Sequence, residues 1–391
     1  MPIHPNFETI FGHRPEYLFS APGRTELSGN HTDHQHGRVL AAAVNLEALG
    51  WVARSGSGRI RVVSEGHSST EISITELEKR PEEANRSVSL LRGVAARFHA
   101  LGAELSGLDI YTTNSVMTGS GLSSSAAYEV LLGTIFNHLF CGGRFTPVQI
   151  AQIGQWAENE YFGKPCGLMD QTASSVGGII GIDFADPAAP VVEKIDFDFA
   201  ACGHALCIID VGADHADLTG EYAAIPGELR NVCRVFGKNW LRDVDETEFY
   251  ARIAEVRKAA GDRAVLRAIH IFEENKRVER QLAALKSGDF DEFLRGVRAS
   301  GLSSLLYLQN VTPAGNTDHQ EAAFALALAE HLLDGRGACR IHGGGFAGTI
   351  QAFVPNDLLD EFKAGIDAVL GAGSCKVLSI RQEGGILVEA Y

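Results

Sequence analysis

What this chain lacks narrows its class before any motif is considered. It has no CxxC pair. Its seven cysteines, at positions 141, 166, 202, 207, 233, 339 and 375, form an odd and scattered set. That argues for free thiols in a reducing compartment and against a disulfide framework or a zinc site. Cys166 alone stands beside a candidate motif, and with no histidine near it in sequence a catalytic thiol is not supported. Long apolar runs are also missing. Stretches such as Val39 to Leu46 fall far short of the roughly 20 residues that a membrane helix needs. With Pro2, His4 and Pro5 at the start, the expectation is a soluble, cytoplasmic protein with no membrane partner. Nor is there a surplus of positive charge: 34 basic residues face 49 acidic ones, a formal net charge of −15. No basic field exists to hold a phosphodiester backbone, so nucleic acid is excluded as a partner. No internal repeat, low-complexity tract or long linker interrupts the chain.

What is present is ordinary globular material: 391 residues, 45% hydrophobic and 21% charged. That is enough for two cores with a cleft between them. The first half predicts strands at Tyr17 to Ala21 and Val39 to Leu46. A hairpin follows, Trp51 to Arg54 with Arg59 to Ser64, around the turn Ser55-Gly56-Ser57-Gly58. Helical periodicity covers Val88 to Leu101, Ser124 to Phe140 and Pro147 to Tyr161, with a strand at Leu108 to Thr112. The second half predicts a strand at Ala205 to Asp210, then helices around Leu218 to Val235, Arg263 to Leu285 and Asp318 to Leu333. Strands at Cys339 to His342 and Thr349 to Val354, a helix at Leu358 to Leu370 and a strand pair, Val377 to Arg381 with Gly385 to Glu389, complete it. This order suits an α+β protein whose second half is an open antiparallel sheet with helices on one face. The expected division is residues 1–198 and 199–391, packed tightly.

The most informative segment is Met117-Thr-Gly119-Ser120-Gly121-Leu122-Ser123-Ser124-Ser125-Ala126-Ala127, placed between a strand and an amphipathic helix. Small residues admit an anion to the backbone, and a helix N-terminus offers it free N–H groups and a positive dipole end. No lysine follows the glycines and the G-x-G-x-x-G spacing is absent, so this is neither a Walker A loop nor a dinucleotide fingerprint. A plain Gly/Ser turn is the alternative. A dense polar cluster, Arg24 to His34, lies between two apolar strands, which marks either a turn or a site. Its His31, Asp33, His34 and His36 sit on irregular chain, where convergence on one metal ion is rare.

The loop closely resembles the phosphate loop of the superfamily that joins galactokinase, homoserine kinase, mevalonate kinase and phosphomevalonate kinase. Ala21-Pro-Gly-Arg24-Thr-Glu-Leu-Ser-Gly29-Asn30-His31-Thr32-Asp33-His34 is similar to the galactokinase signature. Glu158 to Gln171, Asp210 to Tyr222 and Arg340 to Gly348 match further family segments in the family's order. The resemblance implies the two-domain fold of that superfamily, with a mixed sheet-and-helix N-terminal domain, a ferredoxin-like C-terminal domain and the active site between them. It implies transfer of the ATP γ-phosphoryl group, with Mg²⁺, to the C1 hydroxyl of a galactose-like sugar. Asp170 would be the catalytic carboxylate and Arg24 its cationic partner. Asn30, His31, Asp33 and Tyr222 would bind the sugar. Gly119, Ser120, Gly121, Leu122, Ser123, Ser124 and Ser125 would cradle the ATP phosphates, and Ser125 and Glu158 would face Mg²⁺. The helix carrying Arg267, His270, Glu274 and Arg277 resembles a structural one. Sugar and ATP are the expected small-molecule partners, in a monomer or weak homodimer.

Departures from the family pattern fall at the sugar end. The family carries Asn where this chain has Glu26, an acid facing the sugar C6 hydroxyl where it has Asn30, and Tyr where it has His34. Asp214 stands where a basic residue is common. Galactose is the leading substrate, with galacturonate or another C6-modified sugar as the alternative. A non-catalytic sugar and ATP sensor is the alternative of another class. Ser124, Ser125 and Asp170 argue against it, because such relatives tend to lose loop residues.

Overall fold

The structure, a computed structural model, describes residues 4–116, 121–213 and 218–391. In chain order its elements are α1 (Pro5–Phe11), β1 (Tyr17–Ser28), β2 (Arg38–Arg54), β3 (Arg59–Ser64), β4 (Thr70–Ser73), α2 (Ser87–Ala100), β5 (Leu108–Asn114), α3 (Ser124–Cys141), α4 (Pro147–Ala157), α5 (Met169–Val176), β6 (Ile179–Asp183) and β7 (Val191–Ile195). Then come β8 (His204–Asp210), α6 (Thr219–Val235), α7 (Glu246–Ala251), α8 (Ile253–Ala260), α9 (Asp262–Ser287), α10 (Phe290–Ser303), α11 (Glu321–Leu333), β9 (Ala338–Ile341), β10 (Thr349–Pro355), α12 (Leu359–Leu370), β11 (Cys375–Leu378) and β12 (Ile386–Ala390).

The strands build two sheets. The first runs β12-β1-β2-β5-β3-β4, with β6 and β7 continuing from β2. The second runs β11-β8-β10-β9, antiparallel throughout. Where two strands were expected at Val39 to Leu46 and Trp51 to Arg54, one 17-residue strand, β2, serves two partners. Its first residues pair with β6 and its last with β5. The expected hairpin between Trp51–Arg54 and Arg59–Ser64 does not form, because β5 lies between those strands and pairs parallel with β3. The Ser55 amide donates to the Gly107 carbonyl at 2.9 Å, so the turn wraps the entry to β5.

The expected strand pair at the C-terminus separates in the same way. β11 joins β8 in the second sheet, whereas β12 crosses back and pairs with Tyr17–Ser20 of β1. Helices cover both faces of the second sheet, where one covered face was expected. Leu206 and Ile208 of β8 share a core with Phe293 and Val297 of α10, and Cys207 and Ile209 share another with Ala322 and Ala325 of α11. A continuous apolar run, Leu-Cys-Ile-Ile, is the sequence form of such a doubly covered strand. Among the described residues no helix is long and apolar enough to cross a membrane.

Three packings place the site. The core of β2 and β6, through Val39, Ala41, Ile180 and Ile182, holds Met169 and Ala173 and so fixes the first turn of α5. Leu122 is fully buried with Val116 in the main core, anchoring the chain where it enters α3. The α9 helix lies under the turn after β1. Glu274 Oε1 accepts from the Gly29 and Asn30 amides at 3.1 and 3.3 Å, and His270 Nε2 reaches the Asn30 carbonyl at 3.0 Å.

Candidate active site

Arg24 extends from β1 to Asp170 in the first turn of α5. Its Nε meets Asp170 Oδ1 at 2.7 Å and its Nη2 meets Oδ2 at 2.6 Å, a two-pronged contact whose planar fork matches a carboxylate. The remaining nitrogen, Nη1, donates to the Gly121 carbonyl, so one guanidinium ties the acid to the loop. Burial pushes the Asp170 carboxyl up, but the Arg24 charge, the hydrogen bonds from Arg24 and another from Ser123 outweigh it and hold the group below its ordinary range. Asp170 is therefore ionised at neutral pH.

Of the predicted phosphate loop, Gly119 and Ser120 lie outside the described residues. Gly121 has φ +68°, and a Cβ there would sit 2.6 Å from Thr349 Oγ1 and 2.9 Å from His342 Nδ1, a position open only to glycine. Ser123, at the N-cap of α3 with φ +57°, makes no side-chain cap to that helix; its hydroxyl serves Asp170 instead. The first turn of α3 thus presents Ser124 and Ser125 beside the Arg24–Asp170 pair. Ser124 Oγ accepts from Asn114 at 2.7 Å and Ser125 Oγ donates to Glu158 Oε1 at 3.3 Å.

Glu158 opens a π-helical turn, Glu158–Phe162, that continues α4. A wide turn of this kind displaces side chains from the regular α-helical stripe and recurs at functional sites. Behind it lies a residue that the sequence reading missed. Glu129 of α3 is fully buried, and the Gln171 side-chain amide donates to both Glu129 Oε2 and Glu158 Oε2, each at 2.9 Å. Burial, followed by the Glu158 charge, pushes the Glu129 carboxyl well above its usual range. The available signal was a lone acid among Ala126, Ala127, Val130 and Leu131, which are all buried. Cys166 is half-buried beside this cluster, and desolvation followed by the Glu158 charge pushes its thiol up, so no thiolate forms there. Among the described residues no group of three or more His, Cys, Asp or Glu converges as a metal site.

Three of the sugar candidates, Asn30, His31 and Tyr222, meet at the glycine-rich loop 343–345. Asp33 starts a single 3-10 turn and lies against Gly167, where a Cβ would come 2.0 Å from Asp33 Oδ2. His31, in the left-handed region at φ 62°, places Nε2 3.0 Å from the Gly344 carbonyl. Burial and the neighbouring His34 hold His31 neutral, at about 3. Tyr222 donates to the Gly345 carbonyl at 2.6 Å, and its ring lies where a Cβ on Gly344 would be, 2.3 Å from Cε1. The glycine-rich loop 343–345 therefore closes on the turn after β1. Asn30 is fully buried: its Nδ2 donates to Glu26 Oε1 at 3.2 Å and to the Gly343 carbonyl at 2.6 Å. Asp214 lies outside the described residues.

Comparison with known proteins identifies the family. Residues 89–178 match the model for the GHMP kinases N terminal domain, and residues 5–54 match the galactokinase galactose-binding signature. A galactokinase of Streptomyces coelicolor is 32% identical over 373 residues, spanning 94% of this chain and 90% of that protein. One of Glaesserella parasuis is 30% identical over 367 residues, spanning 91% and 90%. The structure of Lactococcus lactis galactokinase complexed with galactose shares the fold with a TM-score of 0.83, at 24% identity over 97% of each chain. A mevalonate kinase structure gives 0.67 at 14% identity, covering 94% of this chain and 99% of that one. With relatives of this similarity along nearly its whole length, the chain belongs to the galactokinase family of ATP-dependent sugar kinases.

Proposed function

We propose that the chain transfers the γ-phosphoryl group of MgATP to the anomeric hydroxyl of galactose, giving galactose 1-phosphate. The observation that carries this reading is the Asp170 carboxylate, gripped at both oxygens by Arg24, which also binds the Gly121 carbonyl. A carboxylate that orients a hydroxyl and a cation that faces developing charge are thereby fixed next to a helix N-terminus suited to phosphates.

In the reaction a bond forms between the sugar O1 and the γ-phosphorus while the bond from that phosphorus to the bridging oxygen breaks, and ADP leaves with the electron pair. The hydroxyl proton passes to Asp170. A carboxylate held below its ordinary range is a weak base, so Asp170 chiefly orients the hydroxyl and takes the proton late, which suits a loose transition state. Residues 119–125 cradle the phosphates. Ser125 and Glu158 fit a hard cation, because both offer oxygen and already face each other at 3.3 Å. Mg²⁺ held by these two residues would supply positive charge to offset that of the ATP phosphates. His31, Asp33 and Tyr222 supply the sugar end. A division into residues 1–198 and 199–391 is supported by β7 lying in the first sheet and β8 in the second, with β12 as a return crossing.

The test is a coupled ADP-release assay with MgATP against galactose, galacturonate, N-acetylgalactosamine, arabinose and glucose. Galactose is expected to give the highest kcat/KM. A preference for galacturonate would contradict the substrate, and sugar binding without turnover of any of the five would contradict the activity.

A further inference from the structure

The family relation directs attention to Asn30, yet its side chain has nothing left to give a substrate. An amide has two N–H donors and an oxygen with two lone pairs. The Asn30 Nδ2 donors go to Glu26 Oε1 and the Gly343 carbonyl, while Oδ1 accepts from Asn310 Nδ2 at 2.8 Å and from Ser304 Oγ at 3.3 Å. All four places are filled by the protein, in a residue with no exposed surface.

Its partner is in the opposite condition. Asn310 follows a π-helical turn, Ser304–Leu308, and is fully buried. Its Nδ2 donates to Asn30 Oδ1 and, at 3.3 Å, to the Gly344 carbonyl. Both of those neighbours are acceptors, which fixes the amide orientation. Among the described residues the Asn310 Oδ1 has no partner. His31 shows the same pattern at the same carbonyl. Its Nε2 faces the Gly344 oxygen, which can only accept, so the proton sits on Nε2 and Nδ1 is an acceptor; Nδ1 too is buried and unpartnered. Buried acceptors left without a donor are uncommon and costly, on the order of 1–3 kcal/mol each. Here two of them flank one glycine loop, at the end of the site that holds Tyr222.

We infer that Asn310, not Asn30, is the specificity-determining amide of the sugar site, and that Asn310 Oδ1 and His31 Nδ1 together receive two hydroxyl donors from the substrate. This rests on the sugar-kinase reading above. The ligand chemistry is a neutral polyol with two O–H groups to donate. A carboxylate substituent has no proton to offer either acceptor. Asn30 is a positioning residue, which holds Asn310 and the Gly343 carbonyl in place.

The test compares kcat/KM for galactose and its 2-, 3-, 4- and 6-deoxy analogues, with MgATP, in the wild type and in Asn310→Ala and Asn30→Ala. In the wild type each missing donor should lower kcat/KM by about tenfold to a hundredfold. Asn310→Ala should erase that penalty for one analogue only, leaving the others and the KM for ATP unchanged. Asn30→Ala should weaken every sugar by a similar factor, since it acts through placement. If Asn310→Ala lowered all five sugars alike, or left every penalty intact, the assignment would be overturned while the kinase reading stood. No turnover of galactose by the wild type would overturn the kinase reading and this one with it. Should Asn310→Ala fail to fold, asparagine-selective ¹⁵N labelling of the wild type reads the same contact. Galactose should shift the Asn310 side-chain amide and one deoxy analogue should not; equal shifts with all five sugars would refute the contact.

Discussion

At the scale of single residues the account turns on one ion pair. The Arg24 guanidinium holds the Asp170 carboxyl below its usual range against the upward push of burial. Replacing Asp170 by Asn keeps the shape but removes the proton acceptor, and kcat should fall by about 10²–10⁴-fold with the KM for sugar nearly unchanged. A rise in sugar KM at unchanged kcat would show a binding role instead. Arg24→Gln removes the main opposition to burial and leaves the weaker one from Ser123, so the Asp170 pKa should rise. The acid limb of kcat/KM should then move to higher pH, besides an overall loss of activity, and a limb that stayed in place would disprove the coupling. The same sign governs stability. With its folded value below the unfolded value of about 3.9, Asp170 stabilises the native state above that pH and loses the contribution as pH falls through the folded value. This pair was legible in sequence only because Arg24 and Asp170 each stood inside a recognisable segment, since 146 positions separate them. Glu129 was legible only as an oddity: a lone acid in an apolar helix marks a buried polar position but gives no hint of a glutamine that will bridge it to a second acid.

At the scale of elements, the site is made of ends and interruptions. The start of α3, the first turn of α5 and two π-helical turns, Glu158–Phe162 and Ser304–Leu308, each deliver a polar side chain that a regular helix would carry elsewhere. Local pattern revealed α2, α3, α4, α6, α9, α11 and α12 but not α1, α5, α7, α8 or α10, nor the π turns, which differ from an α-turn only in hydrogen-bond partner. Strands other than β4, β6 and β7 were found by their apolar runs, yet their neighbours were misjudged at Arg59–Ser64 and at Ile386–Ala390. Pairing is settled by tertiary contact, as when β12 finds β1 at the other end of the chain. Gly121 allows an element-level test. Alanine there must adopt a positive φ and clears neither Thr349 nor His342. Gly121→Ala should cost about 1–3 kcal/mol and raise the KM for ATP more than that for sugar. Equal stability and unchanged kinetics would show that this close approach is dispensable.

At the scale of the whole molecule, the two sheets meet through polar groups. Fully buried Arg340 of β9 donates to the Glu26 carbonyl at 2.9 Å and to Glu26 Oε1 at 2.8 Å, and Gln351 of β10 donates to Thr25 Oγ1 at 2.8 Å. Burial pushes the Glu26 carboxyl up and Arg340 opposes it. Arg340→Met should therefore destabilise the fold by about 3–5 kcal/mol in urea unfolding. Without its counterion Glu26 binds a proton more readily when folded, so the loss should be greater at pH 8 than at pH 5; a pH-independent loss would contradict this. The junction matters because the phosphate loop and Asp170 belong to the first half and the glycine loop with Tyr222 to the second. The central claim, that this assembly phosphorylates the anomeric oxygen of galactose, is tested most directly by ³¹P NMR of the product formed from MgATP and [1-¹³C]galactose. The account predicts a phosphomonoester coupled to the labelled C1, absent with Asp170→Asn over the same interval. Phosphate on any other oxygen, or product formed equally fast by Asp170→Asn, would contradict it.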